Sequence, residues 1–147
     1  MDVYDRSVLL VEDNPDDLEL TLYALRQYHR PGCITVARDG AEALEALFGR
    51  EVSDASAPLR PTLILLDLKL PKVDGLEVLE KIKGDPAVRM IPVVILTSSP
   101  EERDVVAGYG LGVNSFIVKP MDFKDYVSAV QAVGAYWLSL NHSPRPR

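Results

Sequence analysis

Runs of consecutive apolar residues alternate along this chain with stretches in which apolar side chains recur every three or four positions, and several of the runs end on a charged group. Val8-Leu9-Leu10-Val11 leads into Glu12-Asp13, Thr62-Leu63-Ile64-Leu65-Leu66 into Asp67, and Ser115-Phe116-Ile117-Val118 into Lys119. Short unbroken apolar runs suit strands covered on both faces, and the helical period between them suits crossover helices. The pattern therefore predicts βα units around a parallel sheet with helices on both faces. Five units can be read, with a second strand over Cys33–Ala37 followed by a turn at Asp39-Gly40, and a fourth strand over Val93–Leu96.

The helix boundaries carry their own signals. Asn14 is a suitable N-cap with Pro15 at the first helical position, and Leu18, Leu22 and Leu25 then share a stripe. Ala43, Leu44, Leu47 and Phe48 give the next helix its buried face, and Gly49 ends it. Residues 49–61 hold Ser53, Ser56, Pro58 and Pro61 without apolar period and read as an exposed loop. A turn-rich segment, Leu68-Lys69-Leu70-Pro71-Lys72-Val73-Asp74-Gly75, precedes a helix carrying Leu76, Leu79 and Ile82, which Gly84-Asp85-Pro86 stops. Ser99-Pro100-Glu101-Glu102 has the form of a capping box with Pro100 at the first helical position. Gly108, Gly110 and Gly112 weaken the far end of that helix, each interior glycine costing about 1 kcal/mol relative to alanine, so mobility is expected there. The last helix places Phe123, Tyr126, Val127, Val130, Val133, Trp137, Leu138 and Leu140 on one wide stripe.

Composition narrows the function. A chain of 147 residues is one domain by length and can bury roughly two thirds of its unfolded surface. The single Cys33 allows no internal disulfide, and with only His29 and His142 there is no thiolate or imidazole cluster of metal-ligand spacing. A net charge of −6 and a pI near 4.9 argue against nucleic-acid binding, which needs clustered Lys and Arg. No run reaches the ~18 apolar residues of a membrane span, and Met1-Asp2-Val3-Tyr4-Asp5 lacks the basic start of a signal peptide. A soluble cytoplasmic protein is expected, with Ser143-Pro144-Arg145-Pro146-Arg147 as a disordered tail.

In an open α/β sheet the ligand crevice lies outside the carboxyl ends of the strands, where strand order reverses, so Glu12, Asp13, Asp67 and Lys119 should converge. Carboxylates held close together repel and raise the pKa of at least one; a cation relieves this. Hard oxygen ligands suit Mg²⁺, Mn²⁺ or Ca²⁺, and a site with few carboxylates and room for water and phosphate suits Mg²⁺. Three negative charges then face three positive ones from Mg²⁺ and Lys119, so an incoming phosphate dianion meets a neutral site. A carboxylate can attack phosphorus to form an aspartyl phosphate, and Asp67 is placed to do so. Thr97 and Ser98 follow the fourth strand and offer two hydroxyls at the same rim, while Pro120 fixes the turn carrying Lys119, most firmly with a cis bond. Taken singly, each feature is usually a helix start, a cap, a solvated rim or a turn. Their ordered combination is what points to phosphoryl chemistry.

Those same residues resemble the receiver domain of two-component response regulators. The likeness spans residues 7–141 and rests on Val8-Leu9-Leu10-Val11-Glu12-Asp13, Leu65-Leu66-Asp67-Leu68-Lys69-Leu70-Pro71, Asp74-Gly75, Leu96-Thr97-Ser98 and Phe116-Ile117-Val118-Lys119-Pro120 in order. The resemblance implies a doubly wound, flavodoxin-like five-stranded parallel sheet of order 2-1-3-4-5 with an extended C-terminal helix. It also implies that Asp67 accepts a phosphoryl group from a sensor histidine kinase. Asp13, Asp67 and the main-chain carbonyl of Lys69 would ligate Mg²⁺ directly and Glu12 through water. Thr97 and Lys119 would hold phosphoryl oxygens, with Ser98 as a second hydroxyl, and Phe116 would change rotamer as Thr97 moves. Glu12 stands where many receivers have Asp, and Phe116 lacks the hydroxyl of the common Tyr, so any signal from that ring must travel by packing. Leu70-Pro71-Lys72, the long loop before the third strand, Gly112-Val113-Asn114-Ser115-Phe116-Ile117-Val118-Lys119-Pro120 and the long last helix resemble stand-alone regulators that partner phytochrome-type kinases.

Too few residues follow Leu140 to form an effector domain, so output by contact is expected. Tyr126, Val130, Val133, Trp137 and Leu140 alternate four and three apart like a helix-pairing seam, which suggests a homodimer through the last strand and last helix. The bland account is that Tyr126 and Val130 are core and Trp137 covers the sheet end. Two other functional classes stay open: an aspartate-nucleophile phosphatase, although its second acid would fall at Lys69, and a receiver-like interaction module that takes no phosphate.

Overall fold

The computed structural model describes residues 6–28, 33–49, 58–98 and 101–144. Strands β1 (Val8–Val11), β2 (Ile34–Ala37), β3 (Leu63–Leu66), β4 (Val93–Thr97) and β5 (Ser115–Val118) form a five-stranded sheet in the order β2-β1-β3-β4-β5. All four pairings are parallel. Between them run α1 (Pro15–Leu25), α2 (Gly40–Phe48), α3 (Gly75–Gly84) and α4 (Glu102–Gly110), and α5 (Phe123–Gly134) continues into a π-helical segment, Ala135–Leu140.

Successive strand side chains point to opposite faces. Leu9, Val11, Ile64, Leu66, Val93 and Ile95 accordingly meet Ala43, Leu47, Val78, Leu79 and Ile82 of α2 and α3. On the other face Val8, Leu10, Leu63, Leu65, Val94 and Leu96 meet Leu18, Leu25, Tyr126 and Val130 of α1 and α5. The central strands are buried along their whole length, which is why their sequences run apolar without alternation. Each fully buried Leu or Ile contributes roughly 1.5–3 kcal/mol.

Several boundaries refine the sequence reading. Asn14 caps α1 as expected, accepting from Asp16 N and Asp17 N at 2.9 and 3.0 Å. Asp39, read as part of a turn, is the N-cap of α2 and accepts from Glu42 N at 2.8 Å. β2 begins at Ile34 rather than Cys33, and β4 runs on through Thr97. The capping box at Ser99 does not mark the start of α4: the helix begins at Glu102 with Glu101 in the cap position and no side-chain bond. Ser99 and Pro100, like most of the 49–61 loop, lie outside the described residues. No cis peptide occurs among the described residues, so Pro120 fixes its turn in the trans form.

The last helix departs most from expectation. Tyr126, Val130 and Val133 are its own core face, but the π-helical turns take an extra residue each and shift the phase. Asn141 N bonds back to Tyr136 O, and Leu138 is fully buried while Trp137 is half-buried and Leu140 is 76% exposed. Phe123, assigned to the stripe, is also exposed.

Candidate functional site

The polar residues sit one step beyond their strands, and each is pinned by one more ladder-like hydrogen bond. Glu12 N donates to Ala37 O at 3.0 Å, Asp67 N to Val11 O at 3.1 Å, and Lys119 N to Thr97 O at 2.7 Å. Strand register thus fixes the backbone from which each functional side chain leaves. Oxygens of Glu12, Asp13 and Asp67 lie within 4.8 Å of one another, Glu12 and Asp67 buried and Asp13 exposed. The Lys119 side chain, only 7% exposed, donates from Nζ to Glu12 Oε1 at 2.7 Å and to Asp67 Oδ2 at 3.2 Å.

A further acid completes the cluster. Asp17 Oδ2 accepts from Lys119 Nζ at 2.8 Å, across 102 positions of sequence. In sequence it is simply one of two acids in the first turn of α1, where carboxylates favour the helix dipole, and it is not among the expected site residues. Nothing local marks it out from Asp16 beside it; only the packed fold brings it to Lys119. Counting it, the expected charge balance fails by one, and a divalent cation together with Lys119 would leave the site net negative.

Burial pushes the Glu12 carboxyl up to about 7, the nearby Asp67 charge adds to the rise, and the Lys119 ammonium only partly offsets it. For Lys119 itself burial acts to lower the pKa, but hydrogen bonds to Asp17 and Glu12 and the charges of Asp67 and Glu12 outweigh it and hold the ammonium protonated. A crowded acid that resists ionising beside a permanent cation fits a place for a second cation. The donor chemistry, carboxylate oxygens without imidazole or thiolate, fits a hard divalent ion.

The segment after Asp67 is wound tightly. Lys69 N donates to Asp67 Oδ1 at 3.4 Å, Gly75 N to Leu68 O at 2.9 Å, and Lys72 takes a left-handed φ of 68°. A Cβ on Gly75 would lie 2.4 Å from Asp67 O, so only glycine lets α3 start against this loop. Lys69 turns its ammonium to Asp104 of α4 at 3.8 Å. Thr97 is fully buried at the end of β4, Ser98 is exposed, and Phe116 is half-buried. Gly108, read as a weak point, has a packing reason: its Cβ would press Ile95 Cδ1 at 3.3 Å and Phe116 Cδ2 at 3.4 Å. Its absence lets α4 lie against that ring.

A 2-1-3-4-5 sheet with an acid cluster and a lysine at the switch point defines a receiver-type signalling protein. Residues 8–131 match the response regulator receiver domain, and the chain belongs to that family. Response regulator Rcp1 of Synechocystis sp. is 42% identical over 131 residues, 89% of this chain and 88% of that protein. The phosphorylated cyanobacterial phytochrome response regulator RcpA superposes with a TM-score of 0.85 at 40% identity, covering 95% of this chain and 99% of the other. The bacteriophytochrome response regulator AtBRR is 52% identical with a TM-score of 0.64, over 93% and 98% of the two chains. The protein is a response regulator built on a receiver domain, and receiver domains interact with sensor histidine kinases.

Proposed function

We propose that Asp67 is the phosphoryl acceptor and that the other converged groups serve the transfer onto it. The observation that carries this is the contact of Lys119 Nζ with Asp67 Oδ2 at 3.2 Å inside a cluster of carboxylate oxygens. An Asp67 oxygen attacks phosphorus, the bond from phosphorus to the donor breaks, and the donor leaves with the electron pair. Lys119 and the Thr97 hydroxyl receive the phosphoryl oxygens, with Ser98 at the exposed rim. Asp13, Asp67 and the Lys69 carbonyl would hold Mg²⁺, with Glu12 acting through water; the ion when bound offsets charge on the equatorial oxygens. Rcp1 has been seen with Mn²⁺, which supports a divalent ion at the matching place. Phe116, packed against Gly108, is the switch residue, and α4 is the element that its ring would move.

Similarity to RcpA and AtBRR supports a phytochrome-type kinase as the source of phosphate. In such a phosphorelay the protein acts in the cytoplasm as a single receiver over residues 7–141, and among the described residues no helix could cross a membrane. A homodimer through β5 and the last helix completes the reading. β5 is a sheet edge with Val118 exposed. Between it and α5 runs a groove of ≈ 600 Å³ lined by Asn114, Ser115, Ile117, Ala132, Tyr136 and Trp137. The pairing residues are these and Leu140, with Val133 shared between groove and core, rather than Tyr126 and Val130, which the core already uses.

Incubation with acetyl phosphate tests the acceptor. Wild-type protein should gain one phosphoryl group in Mg²⁺ and none in EDTA, and Asp67→Asn should gain none. Labelling retained in Asp67→Asn would falsify the assignment.

A further inference from the structure

We infer that Asp17 is a positioning residue for phosphoryl transfer, holding the Lys119 ammonium from the α1 side so that one of its N–H groups stays directed at Asp67. The inference rests on the proposed role of Asp67. An ammonium has three donors, and here all three have an acceptor: Glu12 at 2.7 Å, Asp17 at 2.8 Å and Asp67 at 3.2 Å. When an Asp67 oxygen displaces acetate from acetyl phosphate, acetate leaves with the electron pair and the new phosphoryl oxygens arrive beside Asp67. They need a donor, and the N–H on Asp67 is the one held by the longest bond.

Glu12 alone would leave Lys119 free to swing about a single contact. Asp17 supplies the second fixed point, and from a different element. It is itself well anchored: its N–H donates to Asn14 Oδ1 at 3.0 Å, and its carbonyl accepts from Tyr126 Oη at 3.4 Å, an oxygen that also pairs with Thr21 Oγ1 at 2.9 Å. Placement near a helix N-terminus explains an acid in this turn. It does not explain a short bond to a nearly buried lysine at the end of β5.

A competing role for the same residue has the opposite sign. As one more negative charge, Asp17 could simply repel the phosphoryl dianion, and removing it would then speed labelling. Asp17→Ala, Asp17→Asn, Lys119→Met and the Asp17→Ala/Lys119→Met pair separate the two, using acetyl phosphate at saturating Mg²⁺. Asp17 is partly exposed on a helix, where Ala is well tolerated, and urea midpoints check that each variant folds.

The expected result is a roughly tenfold slower labelling of Asp17→Ala, the order of loss that follows when a reacting group is loosely held. Asp17→Asn, which keeps an oxygen acceptor, should label at close to the wild-type rate. In the Lys119→Met background Asp17→Ala should cost nothing further, because Asp17 acts through that lysine. Asp17→Ala labelling as fast as wild type or faster, Asp17→Asn as slow as Asp17→Ala, or an undiminished loss in the double variant overturns the inference. A wild-type protein that takes no phosphate is a different failure, and removes the Asp67 reading itself.

Discussion

Replacing Glu12 by Gln should reverse in effect with pH. The Glu12 carboxyl is buried, and its value rises from 4.5 to about 7. At about 1.4 kcal/mol per unit, ionising it in the folded, metal-free protein costs roughly 3 kcal/mol more than in the unfolded chain. Because the folded value lies above the unfolded one, the folded state holds the proton more tightly. That contribution is complete below about pH 4.5 and is lost as pH rises through about 7. Gln is neutral at every pH and keeps an oxygen for Lys119 Nζ, but gives up the 3.2 Å bond that Glu12 Oε2 accepts from Asn14 N, worth about 1 kcal/mol. In EDTA, Glu12→Gln should therefore be about 1 kcal/mol less stable than wild type near pH 4.5 and roughly 2 kcal/mol more stable near pH 8, with a crossing between. Urea unfolding followed by circular dichroism measures both ends. Mg²⁺ added near pH 8 should narrow the gap, since it binds the ionised site of the wild type better. A gap that stays flat across this range, or a wild type that is the more stable form near pH 8 in EDTA, would refute the claim that burial dominates at Glu12.

Two further outcomes test the frame around the site. Gly75→Ala would bring a Cβ to 2.4 Å from Asp67 O and 2.5 Å from Leu68 Cα, both backbone, and should cost roughly 3 kcal/mol or more in urea unfolding. Gly84→Ala, with nothing within 4 Å, should be neutral or stabilising by up to about 1 kcal/mol, and a similar loss in both variants would disprove the steric argument. For the dimer, cutting the chain before Ala135 is a poor test because it removes the fully buried Leu138. Leu140→Glu and Val118→Lys change exposed positions instead, and should shift the protein toward monomer in sedimentation with an unchanged urea midpoint.

The parts of this protein legible in its sequence are those set by local physics and by position along a strand. Apolar runs such as Leu63–Leu66 announced strands covered on both faces, Asn14-Pro15 announced a capped helix, and charges one step past three runs announced a crevice. Strand ends in a parallel sheet share one rim, so Glu12, Asp13, Asp67 and Lys119 had to meet once the sheet closed. Distances across the fold were not legible in that way. Asp17 looks like any acid in a first helical turn until α1 packs against α5 and Asp17 meets Lys119 at 2.8 Å. Gly108 looks like a weak helix residue until α4 meets Phe116, and Leu138 and Leu140 look like members of one stripe until widened turns bury the first and expose the second. Propensity and period act over one turn or one strand; which lysine an acid will meet, or which face a long helix turns inward at its far end, is settled only by how whole elements pack.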